Sequence, residues 1–363
     1  MQKLQKLFHT LAEIATFVNK MFYTVEQQWL MHCNMNESDK KYVWLAVVNV
    51  FAASRKAGSV WKKAAVMLNE AGVPYKAMFT GNGDNAIAIT RKACAKGYRK
   101  FIAVGGDGTV HDVLNGIMEY VGVSDEVSVS EFTLGVLPVG SGNDWVKSTG
   151  VPSDIRGAVE AIASGVVGQQ DVVKVSILDP ADIAAPPVLL SYMANVGGVG
   201  LDARVCEIVN RKKEQGKRGK KLYVGALLYC IRHRVPVEAR VVCDGVEVFD
   251  GKYLSMAFGV GKYSGGGMRQ TPLAELGDGL IDITIIPDIP IWTIAKEVPK
   301  LFTGTFHKVD VLTLARCREV LVLPAGEADA EPVEVDGEVV GRAPVKMEVL
   351  PDHINVLMTD RRQ

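Results

Sequence analysis

Phe-Ile-Ala-Val-Gly-Gly-Asp-Gly-Thr, residues 101–109, is the stretch that decides the fold. Its four apolar residues predict a buried strand, and its three glycines around Asp107 predict a sharp turn. Residues 110–118 place apolar side chains at helical spacing, so a helix should begin right after the turn. Unpaired N–H groups at a helix start attract anions, and glycines let a phosphate approach the backbone. An acid is out of place for simple anion binding, so Asp107 indicates a metal-bridged phosphate or a proton to be moved.

A second turn of the same kind lies further along the chain. Residues 133–137 predict a strand, and residues 138–145 leave it as Pro-Val-Gly-Ser-Gly-Asn-Asp-Trp, again with glycines and an acid. In a parallel sheet both turns would emerge at the same carboxyl edge, where such sheets bind ligands. One glycine-rich loop alone is as well explained by a tight strand-to-helix connection. Two acid-bearing loops at one edge favour a nucleotide site.

The order of predicted elements divides the chain. Strands and helices alternate at 41–168, which predicts a doubly wound α/β domain with a mostly parallel sheet. Short β-rich runs joined by Asp-Gly turns, among them 188–196, 246–249 and 254–260, fill 169–344 and predict an antiparallel, sandwich-like second domain. The nucleotide cleft should lie between the two domains, and the tail at about 345–363 is a candidate to return to the first. Residues 1–40 predict an amphipathic appendage helix of unknown role.

Composition limits the class of protein. The 41 basic and 41 acidic residues cancel, which argues against a general nucleic-acid binder. Six scattered cysteines without a C-x-x-C pair favour reduced thiols, and no apolar run of about 18 residues occurs, so we expect a cytoplasmic protein. Seven basic residues at 211–221 precede ten apolar ones. This pattern favours a packed helix after a charged loop, with transient binding to an anionic membrane surface as the alternative. The sequence does not decide between a monomer and a homodimer.

Several motifs occur in an order that resembles the diacylglycerol kinase catalytic-domain family. That family also includes sphingosine and ceramide kinases and bacterial soluble lipid kinases. The motifs are residues 105–109, 138–144, 195–203, 265–268 with 272–274, 278–282 and 335–338. The resemblance runs from about residue 42 to the end of the chain. It implies an ATP-dependent lipid kinase that uses Mg²⁺ and phosphorylates a hydroxyl of a lipid such as diacylglycerol or a sphingoid base.

The resemblance also implies a set of site residues. The nucleotide-binding positions are Asn49, Thr80, Gly105, Gly106, Asp107, Gly108, Thr109, Asp112, Gly140, Ser141, Gly142, Asn143 and Asp144. Asp278 matches a structural magnesium position, with backbone carbonyls near Glu275 and Leu280. Asp336 matches a proposed general base, with Glu338 close by. Asp107 is the alternative base, and the resemblance favours Asp336.

This chain departs from the family pattern at two of these positions. Where the family has an Asn-Pro-x-x-Gly loop, residues 49–55 read Asn-Val-Phe-Ala-Ala-Ser-Arg, and Ser141 replaces a more usual threonine. The first departure puts phosphate contacts at Asn49 in doubt, whereas the second keeps the hydroxyl.

Other interpretations compete with the kinase. The Asp-Gly pairs at 278–279 and 336–337 are also ordinary turn signals. An NAD kinase shares the first glycine turn, residues 81–86 fit the G-x-G-x-x-A pattern of a Rossmann dinucleotide site, and an inactive lipid-sensing relative is a third alternative. The absence of a G-x-x-x-x-G-K-[ST] motif excludes a P-loop enzyme.

Overall fold

A computed structural model describes residues 37–52, 57–81, 83–124, 126–140, 142–215 and 220–359. The predicted appendage helix falls almost entirely before residue 37, outside the described residues. Ser141 and the second residue of the 81–86 loop also lie outside them.

The strands, in chain order, are β1 (Trp44–Val48), β2 (Tyr75–Phe79), β3 (Lys100–Gly105), β4 (Thr133–Pro138), β5 (Val167–Gln170), β6 (Val173–Ile177), β7 (Leu189–Met193), β8 (Val196–Gly200), β9 (Val237–Cys243), β10 (Val246–Gly259), β11 (Ile281–Pro287), β12 (Thr313–Cys317), β13 (Glu319–Pro324), β14 (Pro332–Val335), β15 (Glu338–Arg342), β16 (Val345–Val349) and β17 (Ile354–Leu357). The α-helices are α1 (Ala57–Glu70), α2 (Ala86–Ala95), α3 (Asp107–Val121), α4 (Asp144–Thr149), α5 (Ile155–Ser164), α6 (Leu201–Glu214), α7 (Lys220–Arg232) and α8 (Ile291–Thr303). Short 3₁₀ helices cover Glu37–Tyr42, Val129–Glu131, Phe306–Lys308 and Glu327–Asp329.

The first sheet has the strand order β2-β1-β3-β4-β17-β5, and all neighbours are parallel except β5, which runs antiparallel to β17. β1 is wholly buried and β3 nearly so, as expected for a parallel sheet covered by helices. The register aligns Val48 with Phe79 and Val104, and Gly105 with Pro138. The residues that come after these strand ends therefore lie along one edge of the sheet.

The second sheet is antiparallel and has the order β15-β14-β8-β10-β9-β13-β16-β6-β7, with β11 and then β12 attached to β10. Valines, isoleucines and methionines from these strands form its core. Helices α6 and α7 pack together and bury a smaller apolar cluster that includes Leu254 of β10. The predicted fold class, a mostly parallel α/β domain followed by an antiparallel β-rich one, is confirmed.

Two details of the second sheet differ from the predicted strands. The runs at 246–249 and 254–260 form one strand, β10, whose pairing with β9 shifts register between Glu247 and Phe249. The predicted strand at 188–196 ends at residue 193, and a new strand, β8, begins at residue 196. β8 is rich in glycine because its neighbours lie too close for side chains: a Cβ on Gly197 would lie 2.8 Å from the Glu334 carbonyl oxygen.

Candidate functional site

The two glycine turns meet at the carboxyl edge of the first sheet. A Cβ on Gly140 would lie 2.9 Å from Gly106 Cα, so the two turns approach as closely as two backbones can. Asn49 Nδ2 donates a hydrogen bond of 3.1 Å to Thr109 Oγ1, which links the end of β1 to the start of α3. Thr80 Oγ1 accepts a hydrogen bond of 3.3 Å from the backbone N–H after Asn49. The strand ends of β1 to β4 thus build one continuous rim.

Asp107 is the first residue of α3 and lies between these turns. Its Oδ1 accepts a hydrogen bond of 3.0 Å from the Trp145 backbone N–H. A Cβ on Gly142 would lie 3.1 Å from Asp107 Oδ2 and 3.4 Å from Asp144 Oδ2, so both carboxylates border the same small space. Burial, with the negative charges of Asp144 and Asp336, raises the pKa of Asp107 to about 6.

Asp144 begins α4 and joins the two domains. Its Oδ2 accepts a hydrogen bond of 2.7 Å from the backbone N–H of Gly266, and its Oδ1 pairs with Lys147 Nζ at 2.5 Å. Asn143, just before it, takes a left-handed conformation at φ 48°. The Asn143 Oδ1 atom is buried and has no hydrogen-bond partner among the described residues. A buried amide oxygen without a donor indicates a position where a ligand or ion supplies one.

Asp336 lies on the turn between β14 and β15. It adopts φ 53°, and Gly337 has φ 90°, as the tight hairpin turn predicted from Asp-Gly requires. Its Oδ1 accepts from the Asn195 N–H at 2.8 Å and its Oδ2 from the Ala194 N–H at 2.9 Å. Oδ2 also lies 3.2 Å from His111 Nδ1. Three donors therefore hold this buried carboxylate in place.

His111 is the site residue that sequence reasoning missed. It lies one helical turn after Asp107 on α3, in the first domain, whereas Asp336 belongs to the second. Burial alone lowers the pKa of His111, but the hydrogen bond and charge of Asp336, with the charges of Asp112 and Glu338, raise it above the ordinary value. The raised pKa favours the protonated form of His111, which would pair with Asp336 as an ion pair across the domain boundary. The only signal in the sequence was the four-residue spacing from Asp107.

Asp112 and Glu338 complete the acidic surroundings of His111. Burial and the charge of Glu338 raise the pKa of Asp112 to about 6, although His111 opposes the shift. Glu338 reaches the first turn of α3, where a Cβ on Gly108 would lie 3.1 Å from its Oε1. The Asn210 side chain of α6 donates to Glu338 Oε2 at 3.4 Å. Glu338 is exposed at the mouth of the site.

Two buried acids behind the hairpin were also missed. Glu334 Oε2 accepts a hydrogen bond of 2.7 Å from the Gly337 N–H, and burial raises the pKa of Glu334 well above its ordinary value. Asp202 Oδ2 accepts from Ser255 Oγ at 2.8 Å and from Gln270 Nε2 at 2.7 Å. Burial likewise raises the pKa of Asp202. Asp202 lies inside a motif that the resemblance singled out, while Glu334 looked like an ordinary outward-facing strand residue.

The predicted magnesium position lies elsewhere, at the turn before β11. Asp278 Oδ1 accepts a hydrogen bond of 3.1 Å from the Leu280 N–H, and its Oδ2 is paired with the Arg316 guanidinium. Both oxygens of the Asp278 carboxylate thus have partners, and the residues do not fit an oxygen-coordinated magnesium ion as they stand. Throughout the described ranges, no three His, Cys, Asp or Glu side chains converge as a ready-made metal site.

Two family profiles match the chain, one in each domain. The profile described as diacylglycerol kinase catalytic domain matches residues 43–175, and the one described as YegS C-terminal NAD kinase beta sandwich-like domain matches residues 195–358. A diacylglycerol kinase from Mycobacterium tuberculosis is 25% identical over 295 residues, which cover 81% of this chain and 88% of that one. A probable YegS-like lipid kinase from Xanthomonas euvesicatoria is 28% identical over 235 residues, covering 63% and 69%.

A crystal structure of a diacylglycerol kinase from Bacillus anthracis shares the fold. The TM-score is 0.67 at 22% sequence identity, over 88% of this chain and 97% of that one. Among the described residues, no helix is long and apolar enough to cross a membrane. The chain therefore contains a diacylglycerol kinase catalytic domain followed by a YegS-type C-terminal domain, and it is similar to lipid kinases along most of its length.

Proposed function

We propose that this enzyme transfers the γ-phosphate of ATP, supplied as its Mg²⁺ complex, to a hydroxyl group of a lipid such as diacylglycerol. The observation that carries the proposal is the 3.2 Å contact between His111 and Asp336. It brings the acidic turn of the second domain to the start of α3, where Asp107 lies between the glycine turns. Phosphoryl transfer requires this combination of a phosphate cradle and nearby carboxylates.

The nucleotide phosphates would lie at the start of α3. Gly106 and Gly108 place no side chains at this helix start, and the unpaired N–H groups and dipole of a helix start favour negative charge there. The buried Asn143 Oδ1, which lacks a partner among the described residues, is suited to a donor or cation brought by the ligand.

Asp107 is the better-placed general base. Because its pKa is raised to about 6, it is ionised at neutral pH yet basic enough to accept a proton during transfer. The hydroxyl proton would pass to Asp107, the hydroxyl oxygen would bond to the γ-phosphorus, and the bond to the β–γ bridging oxygen would break, releasing ADP. Asp336 already accepts from three donors, so its role is to hold His111 and the hairpin in place. The sequence preference for Asp336 as base stays a prediction.

The test is transfer of labelled phosphate from ATP to a panel of acceptors. The panel contains a diacylglycerol, sphingosine, ceramide, phosphatidylglycerol and NAD, and Asp107→Asn is the inactive control. Phosphorylation of a lipid in an Mg²⁺-dependent manner is the expected result. Transfer to NAD alone would identify an NAD kinase instead. Tight binding of NADH without binding of ATP would favour the Rossmann interpretation.

A membrane-facing surface on α7 and α8 supports a lipid acceptor. Leu228, Tyr229 and Trp292 are 62%, 56% and 74% exposed, and exposed Arg232 and Lys296 lie on the same two helices. The Arg234 guanidinium donates to the backbone just before α8, which holds the end of α7 near the start of α8. Exposed apolar side chains on two neighbouring helices are a candidate interaction surface, and each nearby cation adds roughly 1 kcal/mol of attraction to anionic lipid.

Vesicle binding tests this surface. Leu228→Glu should reduce co-sedimentation with phosphatidylglycerol vesicles, and activity on vesicle-borne diacylglycerol, by tenfold or more, as expected for about 1.4 kcal/mol of lost binding. Activity on a short-chain, water-soluble diacylglycerol should be kept. Val123→Glu is the matched control, because Val123 is 82% exposed and lies beyond the far end of α3 from Asp107. Equal loss in both variants would contradict the assignment.

A further inference from the structure

An arginine of β12 pairs with the acidic residues at the turn before β11 and at the start of β11. Asp282 of β11 and Arg316 of β12 are directly opposite each other in the antiparallel register. Arg316 Nε donates to Asp282 Oδ2 at 3.0 Å, and its Nη2 donates to Asp278 Oδ2. One guanidinium therefore bridges two carboxylates, one on the turn and one on the strand. Its planar fork of donors suits such bridging better than a lysine would.

The same turn concentrates negative charge. Burial raises the pKa of Asp282, and the charges of Asp278 and Glu275 add to the shift while Arg316 opposes it. The side chain of Asp282 is only 7% exposed. A buried carboxylate with two acidic neighbours needs a cation close by. Arg316 meets this need, and it also pairs with Asp278 Oδ2, while the Leu280 N–H donates to Asp278 Oδ1.

We propose that the Arg316 guanidinium takes the place of the structural magnesium ion that family resemblance implies at Asp278. The cation is then part of the chain, and the turn needs no metal to hold its shape. This inference does not depend on the reaction proposed above.

The turn matters because it anchors the connection between the two sheets. Asp171 is one of the two residues between β5 of the first sheet and β6 of the second. Its backbone N–H donates to the Leu276 carbonyl at 2.6 Å, and its Oδ2 accepts from the Gly279 N–H at 2.9 Å. Arg316 clamps this same turn onto β12 through Asp278. Loss of the clamp should therefore loosen the junction between the sheets and lower the melting temperature.

Thermal unfolding of the whole chain without nucleotide tests the proposal. The wild type, Arg316→Met, Asp278→Asn and the double variant are each measured with chelator and with millimolar Mg²⁺. Arg318→Met is the matched control, since Arg318 is an exposed arginine two residues along the same segment. We expect the wild type and the control to melt at the same temperature with or without Mg²⁺. Arg316→Met should melt roughly 3–6 °C lower in chelator, and Mg²⁺ should restore at least half of this loss.

The outcomes separate clearly. Mg²⁺ recovery that disappears in the double variant supports the proposal, because it places the rescuing ion at Asp278. A wild type that is stabilised by Mg²⁺, with the response lost in Asp278→Asn, would overturn it and establish a metal site. An Arg316→Met protein that melts normally, or that ignores Mg²⁺, would also overturn it. The wild-type and Asp278→Asn measurements decide the question even if Arg316→Met does not fold.

Discussion

Replacing Asp107 by asparagine should make the protein inactive and more stable at the same time. Burial raises the pKa of Asp107 from 3.8 to about 6, so keeping this group ionised costs the folded state about 3 kcal/mol at pH 7. Asparagine carries no charge, and its oxygen can still accept the hydrogen bond from the Trp145 N–H. We therefore expect the free energy of unfolding of Asp107→Asn to be about 2–3 kcal/mol larger than that of the wild type at pH 7.

The pH dependence of stability provides a second test of the direction of this effect. The folded state binds the Asp107 proton more tightly than the unfolded state does. The contribution of Asp107 to wild-type stability is therefore greatest below pH 3.8, falls as the pH rises to about 6, and is constant above that. The advantage of the variant should thus shrink to about half at pH 5. Urea unfolding of both proteins at pH 5 and at pH 7 measures this difference in stability.

The catalytic activity of Asp107→Asn should fall, whereas its stability should rise. Loss of a general base lowers kcat/KM by about 10²–10⁴-fold, and the wild-type profile should fall below pH of about 6 as Asp107 becomes protonated. A variant with wild-type turnover would refute the assignment of Asp107 as base. A variant that is inactive but less stable than the wild type would refute the buried-charge argument, because the loss could then be structural.

Three further predictions concern the surroundings of this base. Gly140→Ala should raise the KM for ATP by tenfold or more, because its Cβ would press on the facing glycine turn; Gly58→Ala, where a Cβ meets nothing, is the control for steady-state kinetics. Glu334→Gln should change the free energy of unfolding by less than about 1 kcal/mol in urea titrations, since burial raises the pKa of Glu334 and so favours its neutral form, whereas Glu334→Ala should lose about 1–3 kcal/mol. His111→Ala should remove a stabilising ion pair with Asp336; the raised pKa of His111 means that the loss is largest below the ordinary pKa of 6.5 and declines as the pH rises through the folded pKa, which unfolding at several pH values would show.

The carboxyl edge of the first sheet could be predicted well because every signal there was local. An apolar run, a glycine turn and a helical pattern each occupy a few adjacent residues, and the parallel-sheet rule then places the strand ends together. The register of β1, β2, β3 and β4 agrees with this placement. The positions of Asn49, Thr80 and Asp107 on one rim follow from that rule alone.

Contacts across the domain boundary could not be predicted in this way. His111 and Asp336 are 225 residues apart, and no local pattern marks either as the partner of the other. Glu334 alternates with apolar residues on β14, so it resembles a solvent-facing strand position. It is buried because α6 packs against β14 on that face of the sheet. Arg316 could not be predicted as a partner of Asp278 for the same reason, because only the pairing of β11 with β12 brings the two residues together.

The two Asp-Gly hairpin turns explain why local sequence cannot separate a structural acid from a functional one. Asp244 and Asp336 adopt nearly the same left-handed conformation, at φ 47° and 53°, each followed by a glycine. The Asp244 carboxylate accepts hydrogen bonds from the backbone of Arg318 and Glu319 within its own sheet. The Asp336 carboxylate instead meets His111 of the other domain. A turn role and a site role for Asp336 are therefore not alternatives, because the tight turn is what aims the carboxylate across the boundary.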